Sequence, residues 1–163
     1  MQTLCALGHL DFRLIGAHDY AQLFEMIDRL GVEMEAHTEV FRRMVFNVAA
    51  ANCDDHTKNF SFLLGQGDTW QLSPAYDVTH AHNPKSRWTA QHLMAINGRT
   101  TEVGLTDVKK VGDRFAVPNV STVVSEVLDA VDSWSEFSDQ AQVGPVAKDE
   151  VGANIKAMSA LLR

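Results

Sequence analysis

Three polar side chains at fixed spacing are the most informative feature of this 163-residue chain. Asp54 and Asn59 lie within residues 52–59 (NCDDHTKN), and Asp77 follows within residues 73–78 (SPAYDV). Asp and Asn side chains offer oxygen atoms, which are the ligands that Mg²⁺ prefers in proteins. A carboxylate held beside such a metal can also accept the proton of a hydroxyl group. The spacing therefore indicates a magnesium site with a general base next to it.

The same residue types also occur in ordinary turns, where their side chains bond to nearby backbone groups. The surroundings favour a functional interpretation, because an apolar helix precedes the block and a β-hairpin returns the chain toward it. A carboxylate, a carboxamide and a later carboxylate in this order form the layout that protein kinases use around ATP and magnesium. No Gly-rich phosphate loop and no strand Lys precede the block in this sequence.

Residues 52–62 and 72–78 together resemble the signature of HipA-like serine/threonine kinases, the toxin kinases of bacterial toxin–antitoxin pairs. The resemblance is specific, because two separate motifs occur in the right order and are joined by a hairpin. It implies that the chain is one domain, a mainly α-helical, protein-kinase-like C-lobe with one small β-hairpin. The implied parts are a HipA-like C-lobe domain over 1–163, a catalytic loop at 52–61, a hairpin at 60–72 and a metal-binding motif at 73–78.

The resemblance also implies a role for each candidate residue. Asp54 resembles the catalytic Asp that accepts the substrate hydroxyl proton, and Asn59 and Asp77 resemble the pair that binds Mg²⁺ together with ATP. His56 and Lys58 match motif positions that shape the loop and contact phosphate or substrate. The implied reaction is phosphoryl transfer from ATP to a Ser or Thr side chain of a protein.

The N-terminal half that such kinases carry cannot be located in this sequence. That half holds the loop that clamps ATP, the Lys that pairs with the nucleotide, and a regulatory serine loop. Because phosphoryl transfer depends on positioning and charge stabilisation, we expect the chain alone to be inactive or nearly so. The expected partners are an N-terminal kinase lobe on the same or a separate chain, a helix-turn-helix antitoxin, and a protein substrate.

Two other functions remain open at this point. The first is a non-catalytic binding module that docks an antitoxin-like partner or a missing kinase lobe, which a large exposed apolar patch would favour. The second is a metal-dependent hydrolase. His80 and His82 have a spacing that can chelate a transition metal, and His82 could join Asp54, His56 and Asp77.

Composition argues against several classes of protein. The net charge of −7 and the scattered Lys and Arg residues argue against a surface that binds nucleic acid. Cys5 and Cys53 form no CxxC motif, which favours reduced thiols in a cytoplasmic protein. No run of 18 apolar residues is present, so no membrane-spanning segment is expected.

Hydrophobic periodicity predicts the elements that would position the site. A helix is expected from a cap at Asp19 to an end at Gly31, and a second one from about residue 33 to 51, apolar nearly all round at its end. Residues 1–18 appear irregular, since glycines interrupt any period. Further helices are predicted at Leu105–Phe115 with Thr106 as the cap, at Val120–Val131, and after Gly144 and Pro145, where Val151, Ile155, Met158 and Leu162 form an apolar stripe.

Overall fold

The computed structural model describes residues 1–163, and 48% of them are helical. The helices are α1 (Leu4–Leu7), α2 (Tyr20–Leu30), α3 (Glu35–Ala49), α4 (Leu105–Arg114), α5 (Val120–Asp132), α6 (Trp134–Gln140) and α7 (Pro145–Ser159), followed by a 3-10 turn at Ala160–Leu162. The strands are β1 (Gln2–Thr3), β2 (His18–Asp19), β3 (Ser61–Leu64), β4 (Trp70–Leu72) and β5 (Met94–Ala95). The prediction of a mainly α-helical chain with small β-structure is confirmed. None of the helices has the length and apolar character needed to cross a membrane.

The boundaries of α2 follow from its sequence. The Asp19 carboxylate accepts a hydrogen bond from the Ala21 backbone, and the Gln22 side chain accepts one from the Asp19 backbone. This pair is a capping box, which satisfies backbone N–H groups at the helix start. Gly31 ends the helix with φ of +63°, a left-handed conformation that costs glycine little. Both predicted ends of this helix are confirmed.

Helix α3 forms the centre of the molecule. It packs against α2 on one side and against α5 and α7 on another. Most of its apolar residues are buried together with those of α2, because an apolar stripe at helical spacing must be covered by neighbouring elements. Fully buried large side chains of this core include Tyr20, Phe24, Phe41, Met44 and Phe62. The helix therefore delivers the residues that follow it from a rigid base.

The predicted hairpin is present as the antiparallel pair β3 and β4, in which Phe62 lies opposite Leu72 and Leu64 lies opposite Trp70. Strand β1 extends it to a three-stranded sheet by pairing with β3. A second sheet joins β2 to β5 in parallel. The hairpin carries the chain from the end of the predicted catalytic loop to residues 73–78.

Two local predictions were wrong. Residues 1–18 are not irregular throughout, because they contain β1, α1 and the first residue of β2. Helix α4 begins at Leu105 and its N-cap is Gly104, whose backbone N–H donates to Asp107, so Thr106 is not the cap. The helix predicted after Gly144 and Pro145 is present as α7, which begins at Pro145, where the fixed φ of proline suits the first turn. Helix α6 was not predicted, because seven residues are too few to show a period.

Candidate active site

The catalytic-loop candidate, residues 52–59, follows directly from the buried end of α3. The chain reverses at Ala51, whose φ is +54°, and the Asn52 backbone N–H then donates to the Asn47 carbonyl oxygen at 2.9 Å. Ala51, Asn52 and Cys53 are buried, while Asp54 is partly exposed. The loop is therefore anchored at its root and presents Asp54 at the surface of a rigid core.

Asn59 is fixed to the backbone of Asp54. Its Nδ2 atom donates a hydrogen bond of 2.9 Å to the Asp54 carbonyl oxygen. The same bond determines which way the amide group faces, so the Oδ1 atom of Asn59 is left without a protein partner. A free carboxamide oxygen next to Asp54 is the donor that a hard divalent cation requires.

The Asp54 carboxylate accepts no hydrogen bond from another side chain. Burial raises the pKa of this carboxyl above its ordinary value, His56 opposes the rise, and the negative charges of Asp77 and Asp55 add to it. Asp77 and Asn59 line one common cleft, which Asp54 does not line. An unpartnered carboxylate of this kind is free to accept a proton from a substrate.

Asp77 is an exposed residue held in an unusual backbone conformation. Its φ is +54°, in the left-handed region that Asp tolerates better than most residues. The preceding residue fixes the segment, because the Tyr76 hydroxyl group contacts the Ser61 hydroxyl group and donates to the Lys58 carbonyl oxygen at 2.5 Å. Tyr76 thus connects the 73–78 segment to the end of the catalytic-loop candidate and to the start of β3.

The ring of Phe12 contacts the side chains of both Lys58 and His56. Sequence reasoning did not identify Phe12. The Lys58 Nζ atom lies 3.4 Å from the centre of the Phe12 ring, in a cation–π contact. The His56 ring meets the edge of the same ring, with 5.6 Å between centroids. His56 Nδ1 is buried and has no protein partner. Nothing in the sequence around Phe12 signals this contact.

Asp55 has a different environment from its neighbour Asp54. Its carboxylate is completely buried and accepts hydrogen bonds from Tyr20 Oη at 2.9 Å, His92 Nδ1 at 2.9 Å and the Leu93 backbone N–H at 2.8 Å. These bonds connect the loop to α2 and to the segment before β5. Asp55 therefore anchors the loop, through partners that no sequence pattern indicated.

The residues of the hydrolase alternative do not gather into one site. His80 Nε2 lies 3.2 Å from the Asn154 Nδ2 atom, and His82 Nδ1 lies 3.7 Å from the Cys53 Sγ atom. No group of three or more His, Cys, Asp or Glu side chains is placed to hold a metal ion. The arrangement of Asp54, Asn59 and Asp77 offers two carboxylates and one carboxamide oxygen instead, a donor set that suits Mg²⁺.

Comparison with known proteins identifies the family of the chain. A family model described as the HipA-like C-terminal domain matches residues 1–135. The matched part runs from β1 into the first turn of α6 and contains Asp54, Asn59 and Asp77. No curated protein matches the chain.

Proposed function

The chain belongs to the family of HipA-like C-terminal domains, and we propose that it is the catalytic lobe of a kinase that transfers a phosphoryl group from ATP to a protein Ser or Thr. One observation carries the proposal most directly. Asn59 is tied to the Asp54 carbonyl by its Nδ2 atom, which leaves its side-chain oxygen without a protein partner, and the partly exposed Asp54 carboxylate accepts no side-chain hydrogen bond. This is an arrangement of a proton acceptor next to a metal ligand.

Each residue then has a physical role. Asp54 orients the substrate hydroxyl group and accepts its proton, which requires a carboxylate without a strong partner of its own. Asn59 and Asp77 hold Mg²⁺ by their side-chain oxygens. Mg²⁺ bound with ATP supplies positive charge that neutralises the phosphate oxygens during transfer. Tyr76 positions Asp77, since its hydroxyl group is bonded to the backbone of Lys58.

Lys58 and His56 are proposed to contact phosphate or substrate. In this structure the Lys58 ammonium group rests on the Phe12 ring instead. An exposed cation–π contact contributes only about 0.5–1 kcal/mol, so a phosphate group can compete for the same ammonium. The proposal therefore includes a move of the Lys58 side chain away from Phe12 when the nucleotide binds.

The catalytic lobe requires a second lobe that clamps the nucleotide. We propose that a HipA-like N-terminal kinase lobe, on the same or another chain, covers Asn59 and Asp77. The family relationship supports a setting in a bacterial toxin–antitoxin pair, with a helix-turn-helix antitoxin as a further proposed partner.

Reconstitution tests the proposal. The chain is mixed or fused with the N-terminal lobe of a HipA-like kinase, and transfer of the labelled γ-phosphoryl group of ATP to protein is measured with and without Mg²⁺. Asp54→Asn is expected to lower the rate at least about 100-fold, the usual effect of losing a positioned acid–base group. Asp77→Ala is expected to abolish the Mg²⁺-dependent rate.

Asp68→Asn is the matched control. Asp68 lies in the turn between β3 and β4 with φ of +59°, a conformation that Asn also tolerates, so activity should not change. Full activity in Asp54→Asn would contradict the assigned role. A folded two-lobe protein that never transfers phosphate would contradict the kinase proposal itself.

A binding module is the second candidate, and one observation favours it. An apolar groove lies between α3, α5, α6 and α7, and the side chains of Val78 and Phe137 at this groove are exposed. A surface of this kind is typical of sites that dock another protein. A reconstituted protein that binds the N-terminal lobe tightly but lacks kinase activity would make this candidate the better account.

A further inference from the structure

Strand β4 forms an open edge of the three-stranded sheet. The strand order is β1-β3-β4, so no strand of the chain lies on the outer side of β4. The backbones of Thr69 and Ser73 make 2.9 Å hydrogen bonds across the hairpin. Because alternate residues of an antiparallel pair point toward the neighbouring strand, the N–H and C=O groups of Trp70 and Leu72 point away from β3. No backbone hydrogen bond from elsewhere in the chain reaches these two residues, so they can pair with a further strand.

A cleft with a volume of about 800 Å³ lies against this edge. Residues 69–74 line one side of it, and residues 30–36, which connect α2 to α3, line another. Its apolar side chains are those of Leu30, Val32, Ala36, Leu63, Trp70 and Leu72. Neither Asn59 nor Asp77 lines this cleft, so it is separate from the proposed metal site.

Carboxylates outnumber cations around the cleft. The charged residues that line it are Glu33, Glu35, Glu39, Asp68 and a single cation, Arg43. Arg43 is already occupied, because its Nε atom donates to Glu39 at 2.7 Å. Glu33, Glu35 and Asp68 form no ion pair. The cleft therefore attracts positive charge, and a second copy of the same acidic cleft is repelled from it.

We propose that this cleft binds an extended segment of a partner protein, in which cationic and apolar side chains alternate, and that the segment pairs with β4 as an added strand. Backbone pairing of this kind supplies affinity, and side chains at alternate positions supply specificity. Trp70 and Leu72 are partly buried against the core, whereas Gln71 between them is exposed. The apolar side chains of the segment continue the face of Trp70 and Leu72, and its cationic side chains pair with the carboxylates of the cleft.

The test uses the fluorescein-labelled hexapeptide KVRVTV, titrated into the chain and followed by fluorescence anisotropy without ATP or Mg²⁺. The expected dissociation constant is about 100 μM or tighter. The hexapeptide EVEVTV, in which glutamates replace the cations, should bind at least about tenfold more weakly, because like charges then meet in the cleft. The result is independent of the kinase proposal, since Asp54, Asn59 and Asp77 do not line the cleft. Equal binding of the two peptides overturns the proposal.

Hydrogen exchange followed by NMR identifies the edge that is occupied. With saturating KVRVTV, the N–H groups of Trp70 and Leu72 should exchange at least about tenfold more slowly. Gln71 is the internal control, because its N–H group already faces β3 and its exchange should change less than about twofold. Exchange of Trp70 and Leu72 that is as fast with the peptide as without it overturns the proposal.

Methylation of the peptide backbone tests strand pairing directly. Two isomers of KVRVTV are compared, one methylated on the backbone nitrogens of its valines and the other on those of the remaining residues. Only alternate residues of an added strand face β4, so one isomer should bind like the parent peptide and the other at least about tenfold more weakly. Equal affinities of the two isomers overturn strand pairing.

Charge reversal locates the binding on the protein. The double variant Glu33→Lys with Glu35→Lys should weaken KVRVTV at least about tenfold. Asp149→Lys with Glu150→Lys is the matched control, because it changes the net charge equally at exposed positions of α7 that do not line the cleft. Its effect should stay below about twofold. Glu33→Gln with Glu35→Gln replaces the first variant if that variant does not fold.

Two further outcomes overturn the proposal. The first is an equal loss of affinity in the two double variants, which would make the attraction a property of the whole chain. The second is a dimer of the chain alone in analytical ultracentrifugation, with the N–H groups of Trp70 and Leu72 already protected from exchange. In that case a second copy of the chain, and not a basic segment, covers the edge of β4.

Discussion

The hydroxyl group of Tyr20 on α2 donates a 2.9 Å hydrogen bond to the Asp55 carboxylate, and both side chains are completely buried. Burial and then the charge of Asp55 raise the pKa of the Tyr20 phenol well above its ordinary value, against the opposing effect of a hydrogen bond from Asn47. Tyr20 therefore remains a hydrogen-bond donor over the physiological pH range. Two adjacent carboxylates consequently have different tasks, since Asp55 anchors the loop and Asp54 is left available for chemistry.

The first prediction follows from this division. Asp55→Asn replaces one carboxylate oxygen by an amide nitrogen. If the amide nitrogen takes the Oδ2 position, Tyr20 and His92 both lose their acceptor. We expect the free energy of unfolding to fall by about 2–4 kcal/mol, because buried donors are left unsatisfied and a charged acceptor is lost. Urea denaturation followed by circular dichroism measures the change.

Asp54→Asn is the control for this measurement. The Asp54 side chain accepts no hydrogen bond and is partly exposed, so its replacement should change the unfolding free energy by less than about 1 kcal/mol. The two neighbouring substitutions should thus separate stability from chemistry. If Asp55→Asn is as stable as the parent chain, the buried network does not anchor the loop.

The sequence predicted those parts of the structure that depend on neighbouring residues. The ends of α2 follow from a side-chain cap at Asp19 and a left-handed glycine at Gly31, both of which act within a few residues. The hairpin follows from alternating apolar residues around a turn, and it carries the chain to the 73–78 segment. Capping residues and a short connection between two strands were sufficient to predict these elements.

The parts that could not be predicted depend on contacts between distant positions. Tyr20 and Asp55 are 35 residues apart, and no periodic pattern links them. Strand β2 contains two residues, which is too short for any alternation to be visible, and its parallel pairing with β5 joins distant parts of the chain. The contact of Phe12 with Lys58 likewise requires the folded chain. Tyr76 differs from these cases. It lies inside the 73–78 motif, so its position alone could have marked it as a residue that holds the segment in place.

The second prediction concerns ATP. The chain alone should bind ATP with a dissociation constant of about 1 mM or weaker, which corresponds to only about 4 kcal/mol of binding free energy. The reason is that the catalytic loop and Asp77 supply metal ligands, whereas no Gly-rich loop is present to hold the phosphates. Isothermal titration calorimetry with and without Mg²⁺ measures the affinity. Micromolar binding by this chain alone would contradict the assignment of a single lobe.

The third prediction concerns the two thiols. Burial and then the charge of Asp55 raise the pKa of Cys53 to about 12, and its side chain is almost fully buried. At pH 8 only about one molecule in 10,000 would carry a thiolate at this position, so iodoacetamide should not modify Cys53 in the folded chain. Cys5 is partly exposed and should react. Mass spectrometry of the labelled peptides distinguishes the two sites.

Unfolding in urea should make both thiols reactive, which provides the internal control. A Cys5→Ser variant should show no labelling until the chain unfolds. Rapid modification of Cys53 in the native chain would mean that the start of the catalytic-loop candidate opens far more often than its burial indicates.

The fourth prediction addresses the residue that holds Asp77 in place. Tyr76→Phe removes the hydroxyl group that donates to the Lys58 carbonyl and contacts Ser61, while the ring remains. Asp77 has a left-handed backbone conformation that its surroundings must maintain, so the loss should loosen residues 76–78. NMR relaxation should show their order parameters falling from about 0.85 toward about 0.6. Trp88→Phe, at an exposed ring, should leave them unchanged, and equal order parameters in Tyr76→Phe would show that another contact fixes Asp77.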